Sequence, residues 1–306
     1  MSGLFVLEQA LNGLQLGFML FLLAAGLTLV FGVMDMINLA HGSLYMIGAF
    51  VAAWLTRLTG SFVIGVCGAI VLTALFGMLL EASILRTLYT RDHLSQVLAT
   101  FALILILNDG VKMVFGNDLP LSAPQALEGP IEILPGLMYS AWRLLIIGVG
   151  VFVAVLLYLL VQKTRMGALV RAGASNREMS TAMGVNVGRL FTLVFGLGAA
   201  LCAVAGSLLA PLLAVQVGMG ENILILAFVV IVIGGIGSIR GALVGAMLVG
   251  IVDTMGRTLL QQLLGAALPP QWASAAGPAL ASMSVYVLMA GVLAWRPQGL
   301  WPVRGR

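Results

Sequence analysis

KTRMGALVRAGASNREMSTAMGVNVGR, residues 163–189, is the one long run of this chain that cannot sit in oil. It carries Lys163, Arg165, Arg171, Arg177 and Arg189 against the single acid Glu178, and hydrophobic segments resume on both sides. A polar stretch framed in this way reads as a platform at a membrane surface. The rest of the chain then has the task of holding it there.

The frame itself is apolar throughout. Of 306 residues, 61% are hydrophobic and 8% charged, with a mean hydropathy of +1.12. Soluble domains carry roughly 25% charged residues. Backbone polar groups must be satisfied inside lipid, and the apolar runs are continuous rather than alternating. Helices, not barrel strands, are therefore expected to span. At about 20 residues per crossing, the chain has room for eight or nine transmembrane helices in a single transmembrane domain, 1–306. The predicted class is all-α, a polytopic integral membrane protein with broken or re-entrant segments. Cys67 and Cys202 fall in apolar spans and imply neither a disulfide nor a metal site. The beginning, MSGLFVLEQALNG, lacks a basic region and contains Glu8, so it reads as a first membrane helix rather than a cleaved leader.

The apolar runs predict spans near 10–33, 39–56, 62–85, 94–115, 140–162, 190–214, 221–237, 241–259 and 278–295. The second is interrupted at its start by Asp35, Asn38, His41 and Gly42, the pattern of a broken or re-entrant helix. Eleven basic residues, among them Arg86, Arg91, Arg240, Arg296 and those of 163–189, fall on one side of these spans. Four, Arg57, Lys112, Arg143 and Arg257, fall on the other. The bias puts the 163–189 loop and the C-terminus in the cytoplasm. The net charge of +4 thus reflects orientation, not nucleic acid. Two loops then face outward. One, near 116–139, holds Pro120, Pro124, Pro130 and Pro135 and reads as a rigid, non-helical cover. The other, near 260–277, contains Pro269, Pro270 and Trp272.

Four constellations are candidates for function. In GLTLVFGVMDMINLAHGSLYMIGAF, residues 26–50, Asp35, Asn38 and His41 recur every third residue and would share a helix face. Asn38 and His41 would either bond backbone groups freed by a helix break or line a translocation pathway. Too few ligands converge there for a metal. In VVIVIGGIGSIRGALVGAMLVGI, residues 229–251, Gly234, Gly235, Gly237 and Gly241 lack the Lys and Ser/Thr of a phosphate loop and instead permit a sharp bend. Glu81 with Arg86, Asp109 with Lys112, and Asp253 with Arg257 read as locally compensated or snorkelling groups. Asp109 and Asp253 keep open an alternative class, a stand-alone ion-coupled secondary transporter. Small residues recur every fourth position at Gly237, Gly241 and Gly245, at Ala242, Ala246 and Gly250, and at Cys202, Gly206 and Ala210. These are seams for close helix packing, within this chain or against a second membrane subunit.

The fourth constellation is the polar run itself. Wound as one helix over 166–183, it puts Leu169, Ala172, Asn176, Met179 and Met183 in one arc, with Gly184 as a helix stop. Such a face suits either a lipid surface or a groove on a soluble partner. No catalytic residue emerges anywhere in the sequence.

Three stretches, residues 26–50, RAGASNREMSTAMGVNVGRLFTLVFGLGAALCAVAGSLL and residues 229–251, resemble the LivH-type permeases of bacterial branched-chain amino acid ABC transporters. The family's NLAHG, RA…A..G and GGIGS..GA..G patterns occur here in order, over nearly the whole chain. The resemblance implies a non-catalytic membrane subunit of an importer in the bacterial inner membrane. Its implied partners are a LivM-like second permease, two cytoplasmic ATP-binding subunits and a periplasmic solute-binding protein. ATP would be used by the partners, with no cofactor bound directly. The segment 165–184 is then the counterpart of the coupling helix that docks on an ATPase, a role carried onto Arg171, Asn176, Met179, Met183 and Gly184. Asn38, His41 and Gly42, with Gly234, Gly235 and Gly237, fall to the translocation pathway or its helix breaks.

Overall fold

The first long apolar run becomes the central post of the molecule. In the computed structural model, which describes residues 3–267 and 270–301, α1 (Gly3–Met34) is a 32-residue helix whose most apolar stretch is 83% buried. Around it stand α2 (His41–Thr59), α3 (Phe62–Leu80), α4 (Arg86–Leu88) and α5 (His93–Phe115). A π-helical turn, Glu81–Leu85, joins α3 to α4 without a break. A two-stranded antiparallel hairpin, β1 (Pro130–Leu134) and β2 (Leu137–Ser140), precedes α6 (Ala141–Lys163). The short α7 (Arg165–Ser175) and α8 (Arg177–Ala182) follow, then α9 (Val187–Leu209), α10 (Met219–Gly234), α11 (Ile239–Ala267) and α12 (Pro270–Trp295).

Burial does not follow hydropathy, and the strongly apolar helices left uncovered identify the solvent. The most apolar window, in α6 at a mean hydropathy of 3.1, is only 28% buried. Helix α5 is 22% buried. Val63, Phe101, Phe152 and Met113 turn outward with 52–86% of their surface free. A ring of exposed apolar helix faces is stable only against lipid. Among the described residues, six helices are long and apolar enough to cross a membrane, and α10 and the stretch Ala279–Trp295 are shorter apolar helices.

The fold is therefore nearly all-α. The hairpin is the exception, and it falls in the proline-rich stretch predicted as an outer loop, where Gly136 at φ +87° makes its turn. The other predicted outer loop, near 260–277, is mostly helix, because α11 runs on to Ala267 and α12 begins at Pro270. Proline is tolerated in a first helical turn, where its missing N–H has no partner to lose. Pro269 and the side chain of Trp272 lie outside the described residues.

In lipid, apolar contact between helices gains nothing over contact with acyl chains, so association rests on dispersion at close range. The small-residue rows supply that range inside this chain. A Cβ on Gly250 of α11 would sit 2.5 Å from the Gly17 nitrogen of α1, and one on Gly245 would sit 2.6 Å from the Val230 carbonyl of α10. Gly206 of α9 abuts the Tyr45 carbonyl of α2 in the same manner.

Polar contacts sort the helix ends into two groups. At one end, Asn12 of α1 accepts hydrogen bonds from Tyr139 at 3.1 Å and from Arg143. Leu119 donates to the Val215 carbonyl. At the other end α7 lies against α1, α6 and α9, beside the turn from α10 into α11. There Glu81 is fully buried and accepts four hydrogen bonds: Arg86 through Nε (3.3 Å) and Nη2 (3.1 Å), Tyr89 Oη (2.8 Å) and Thr192 Oγ1 (2.6 Å). This cluster latches the π-helical turn to the first turns of α9. Asp253 and Arg257 also pair, at 3.0 Å. Asp109 and Lys112 do not, so that expected compensation is absent among the described ion pairs.

Two stability outcomes follow. Gly250→Val overpacks the seam between α1 and α11 and lowers thermal stability in detergent by about 1–3 kcal/mol. Gly148→Val, on the open face of α6 where nothing lies within 4 Å, leaves it unchanged. Glu81→Ala costs roughly 2–3 kcal/mol in lost charged hydrogen bonds. Arg86→Ala costs more, because it strands a buried carboxylate, and adding Glu81→Leu to it restores part of the loss.

Candidate functional site

Residues 165–184 do not form one helix. Asn176 takes an extended conformation (φ −152°, ψ 105°) and divides the segment into α7 and α8. The side chain of Asn176 accepts from the Met179 N–H at 2.8 Å, and its backbone carbonyl accepts from the Ser180 hydroxyl at 2.8 Å. Asparagine is a poor interior helix residue and a strong N-cap, so capping prevails over continuation. The single apolar arc expected over 166–183 is thus broken, and Asn176 acts as a cap rather than as part of that face. Gly184, at φ +86°, follows α8 directly and turns the chain toward α9.

The two short helices have different attachments. Helix α7 is tied to the bundle: Gly167, Val170 and Gly173 are buried, and a Cβ on Gly173 would meet Leu190 of α9 at 3.2 Å. Arg171 turns back and donates to the Val161 carbonyl at the C-terminal end of α6, away from the methionines. A cation there offsets the partial negative charge of the helix end. Helix α8 projects. Met179 is 59% exposed and Met183 79% exposed. Flexible, polarisable side chains held out on a capped single turn form an adaptable apolar contact.

The polar break between α1 and α2 covers residues 35–40 and is not helical, so Asp35, Asn38 and His41 do not share a helix face. Asp35 is exposed at φ +53°, whereas Asn38 and His41 are fully buried. Asn38 bonds no freed backbone group; neither of its amide atoms has a partner among the described residues. That work falls to Gln96, 2% exposed, whose Oε1 accepts from the Ile37 N–H at 3.3 Å. Its Nε2 donates to the Leu88 and Arg91 carbonyls at 3.2 and 3.1 Å, so one side chain joins the break to the turn before α5. A glutamine in the first turns of an apolar span is the sequence signal that marks it. Asp92 caps the same helix: the hydroxyl of Ser95 at 2.6 Å and its N–H at 3.1 Å hold the carboxyl below the usual carboxylate range.

His41 Nε2 lies 3.1 Å from Cys202 Sγ on α9, an approach made possible by Gly26 and Gly198, which meet beside the ring. A Cβ on Gly42 would fall 2.5 Å from the Gly220 carbonyl at the start of α10. At the second break, Gly235 (φ +102°) and Gly237 (φ +83°) turn α10 into α11. Gly234 closes against Gly241, and Gly32 of α1 packs on Gly237. The structure therefore brings Gly237 beside the tip of α1 and α7, and places Asn38, His41 and Gly42 separately, around α2. Among the described residues, no group of three His, Cys, Asp or Glu is arranged to hold a metal ion.

Comparison with known proteins agrees with this architecture. Residues 9–293 match the family model of the branched-chain amino acid transport system permease component. The chain is 33% identical over 264 residues to the high-affinity branched-chain amino acid transport system permease protein BraD of Pseudomonas aeruginosa, covering 82% of this chain and 86% of that one. It is 31% identical over 277 residues to the corresponding protein LivH of Escherichia coli, with 84% and 88% covered. A probable LivH of Methanocaldococcus jannaschii is 32% identical over 252 residues, with 78% and 76% covered. A family match over nearly the whole length, joined to a lipid-facing helical bundle with two glycine-built breaks, places this chain in the family of permease components of branched-chain amino acid transport systems.

Proposed function

We propose that this chain is the membrane-spanning subunit of an ATP-driven importer for branched-chain amino acids or a closely related small solute, and that α8 carries the motion of an ATPase into the bundle. The exposed pair of Met179, on a helix capped by Asn176, and Met183, the C-cap of that helix, is the observation that carries the reading. Helix α7 is anchored and α8 is free, the arrangement of a lever whose outer arm is gripped and whose inner arm bears on α1, α6 and α9.

The partners in this reading are a LivM-like second permease, two ATP-binding subunits and a periplasmic solute-binding protein, assembled in the bacterial inner membrane. The basic residues near α7 and α8 put that end in the cytoplasm, together with the C-terminus. Nine crossings follow if α2 spans fully, and eight if it is re-entrant. ATP is bound and hydrolysed by the partner chains. The pathway runs beside the breaks at 35–42 and 234–237, where glycines allow the helices to slide and bend.

Met179→Asp combined with Met183→Asp removes two apolar contacts of about 1.5 kcal/mol or more each. It should weaken co-purification of the ATP-binding subunits by roughly a hundredfold, with membrane insertion unchanged. Normal ATPase retention by that double variant contradicts the role of α8. Asn176→Ala, which removes a cap worth about 1 kcal/mol, should lower solute-stimulated ATP hydrolysis, and Asn176→Asp, which keeps an acceptor at the cap, should preserve it. Equal activity of the two variants argues against the lever.

A further inference from the structure

A cavity of about 550 Å³ opens beside α7 and has no part in the docking surface. Arg171 lines it from α7, Ser238 and Arg240 from the turn into α11, and Thr28 from α1. No acidic side chain lines it. Two guanidinium groups facing one partly enclosed space repel each other, and the repulsion is relieved by an anion between them. Neither arginine has a carboxylate within ion-pair distance among the described residues. Arg171 uses a donor on the Val161 carbonyl. Arg240 lies over the Tyr158 ring at 5.3 Å and reaches its hydroxyl at 3.4 Å. Each guanidinium has five N–H groups in all, so further donors remain on both. The Thr28 hydroxyl is buried and has no hydrogen-bond partner among the described residues.

We propose that this cavity binds a phosphate group carrying an apolar tail. Phosphate oxygens accept from several directions at once and pair with guanidinium forks in two-bonded geometry. Gln162, Ser175 and Tyr158 also line it, and an apolar side formed by Leu29, Val33, Val170 and Ile236 suits the tail. Occupation ties α7 to the α10–α11 turn, and so sets how freely the anchored arm moves. The donor chemistry is shared by an acidic phospholipid and by a soluble organic phosphate. The site needs no ATP-binding partner, and so stands separately from the role of α8.

The test is titration calorimetry on the full-length chain, purified in neutral detergent with its associated subunits retained. The probes are dioctanoyl phosphatidic acid, glycerol 3-phosphate and dioctanoylglycerol. Binding of the phosphatidic acid is expected, and Arg171→Gln or Arg240→Gln should weaken it by roughly tenfold to a hundredfold. Arg171→Gln keeps a donor for the Val161 carbonyl, so the end of α6 stays capped. Ala174→Phe, which fills the cavity without changing charge, should abolish binding, and Arg189→Gln, outside the cavity, should not alter it. Binding that needs the acyl chains assigns the site to a phosphate with an apolar tail; comparable affinity for glycerol 3-phosphate contradicts the role given to the apolar side. The proposal is overturned if neither phosphate binds, if dioctanoylglycerol binds as well as phosphatidic acid, or if Ala174→Phe leaves binding intact.

Discussion

The structure depends on backbone meeting backbone across glycine. In lipid the hydrophobic effect does not draw helices together, so specificity comes from how closely two helices can approach. Helix α1 owes its central position to this. Gly13 and Gly17 admit α11, Gly26 admits α9 and the ring of His41, and Gly32 admits the turn at Gly237. A methyl group at any of these points would push a neighbouring backbone aside. The apolar side chains, by contrast, are largely interchangeable wherever they face outward to acyl chains.

The same contacts place the two irregular segments. The break at 35–40 and the turn at 235–237 both end against the end of the bundle where α7 is seated. Gln96 fixes the first break to the turn before α5, and the Glu81 cluster fixes α9 to the π-helical turn. These polar clusters are satisfied internally, as buried groups must be. In the proposed reading, movement falls to the glycine turn at 235–237 and to α8, whose Met179 stands exposed.

Much of the fold was legible in the sequence because lipid imposes one rule on every span. Continuous apolar runs separated the helices, although α1 begins earlier and α11 and α12 reach further into the predicted 260–277 loop than hydropathy alone indicates. The rows at Gly237, Gly241 and Gly245 marked real seams. The family followed from three motifs read together. Other features turned on local competition that periodicity does not record. The arc from Leu169 to Met183 assumed an unbroken helix, but the side chain of Asn176 bonds the next turn's N–H and ends it. The triplet Asp35, Asn38 and His41 assumed one helix, but the chain breaks at Asp35 (φ +53°) and becomes helical again only at His41. Gln96 and Thr192 were passed over because a lone polar residue in a span shows its importance only when its partner, distant in sequence, is known. The hairpin at 130–140 was expected only as a rigid cover, since proline spacing fixes where helix is excluded and not what replaces it.

A subunit moved from outside by a gripped short helix differs from a self-sufficient carrier in what drives it. Reconstitution into liposomes separates the two, with leucine uptake measured under ATP alone and under a proton or sodium gradient alone. The account predicts uptake only when the ATP-binding subunits, the second permease and the solute-binding protein are present with ATP. Uptake by this chain alone, driven by an ion gradient without ATP, would contradict it.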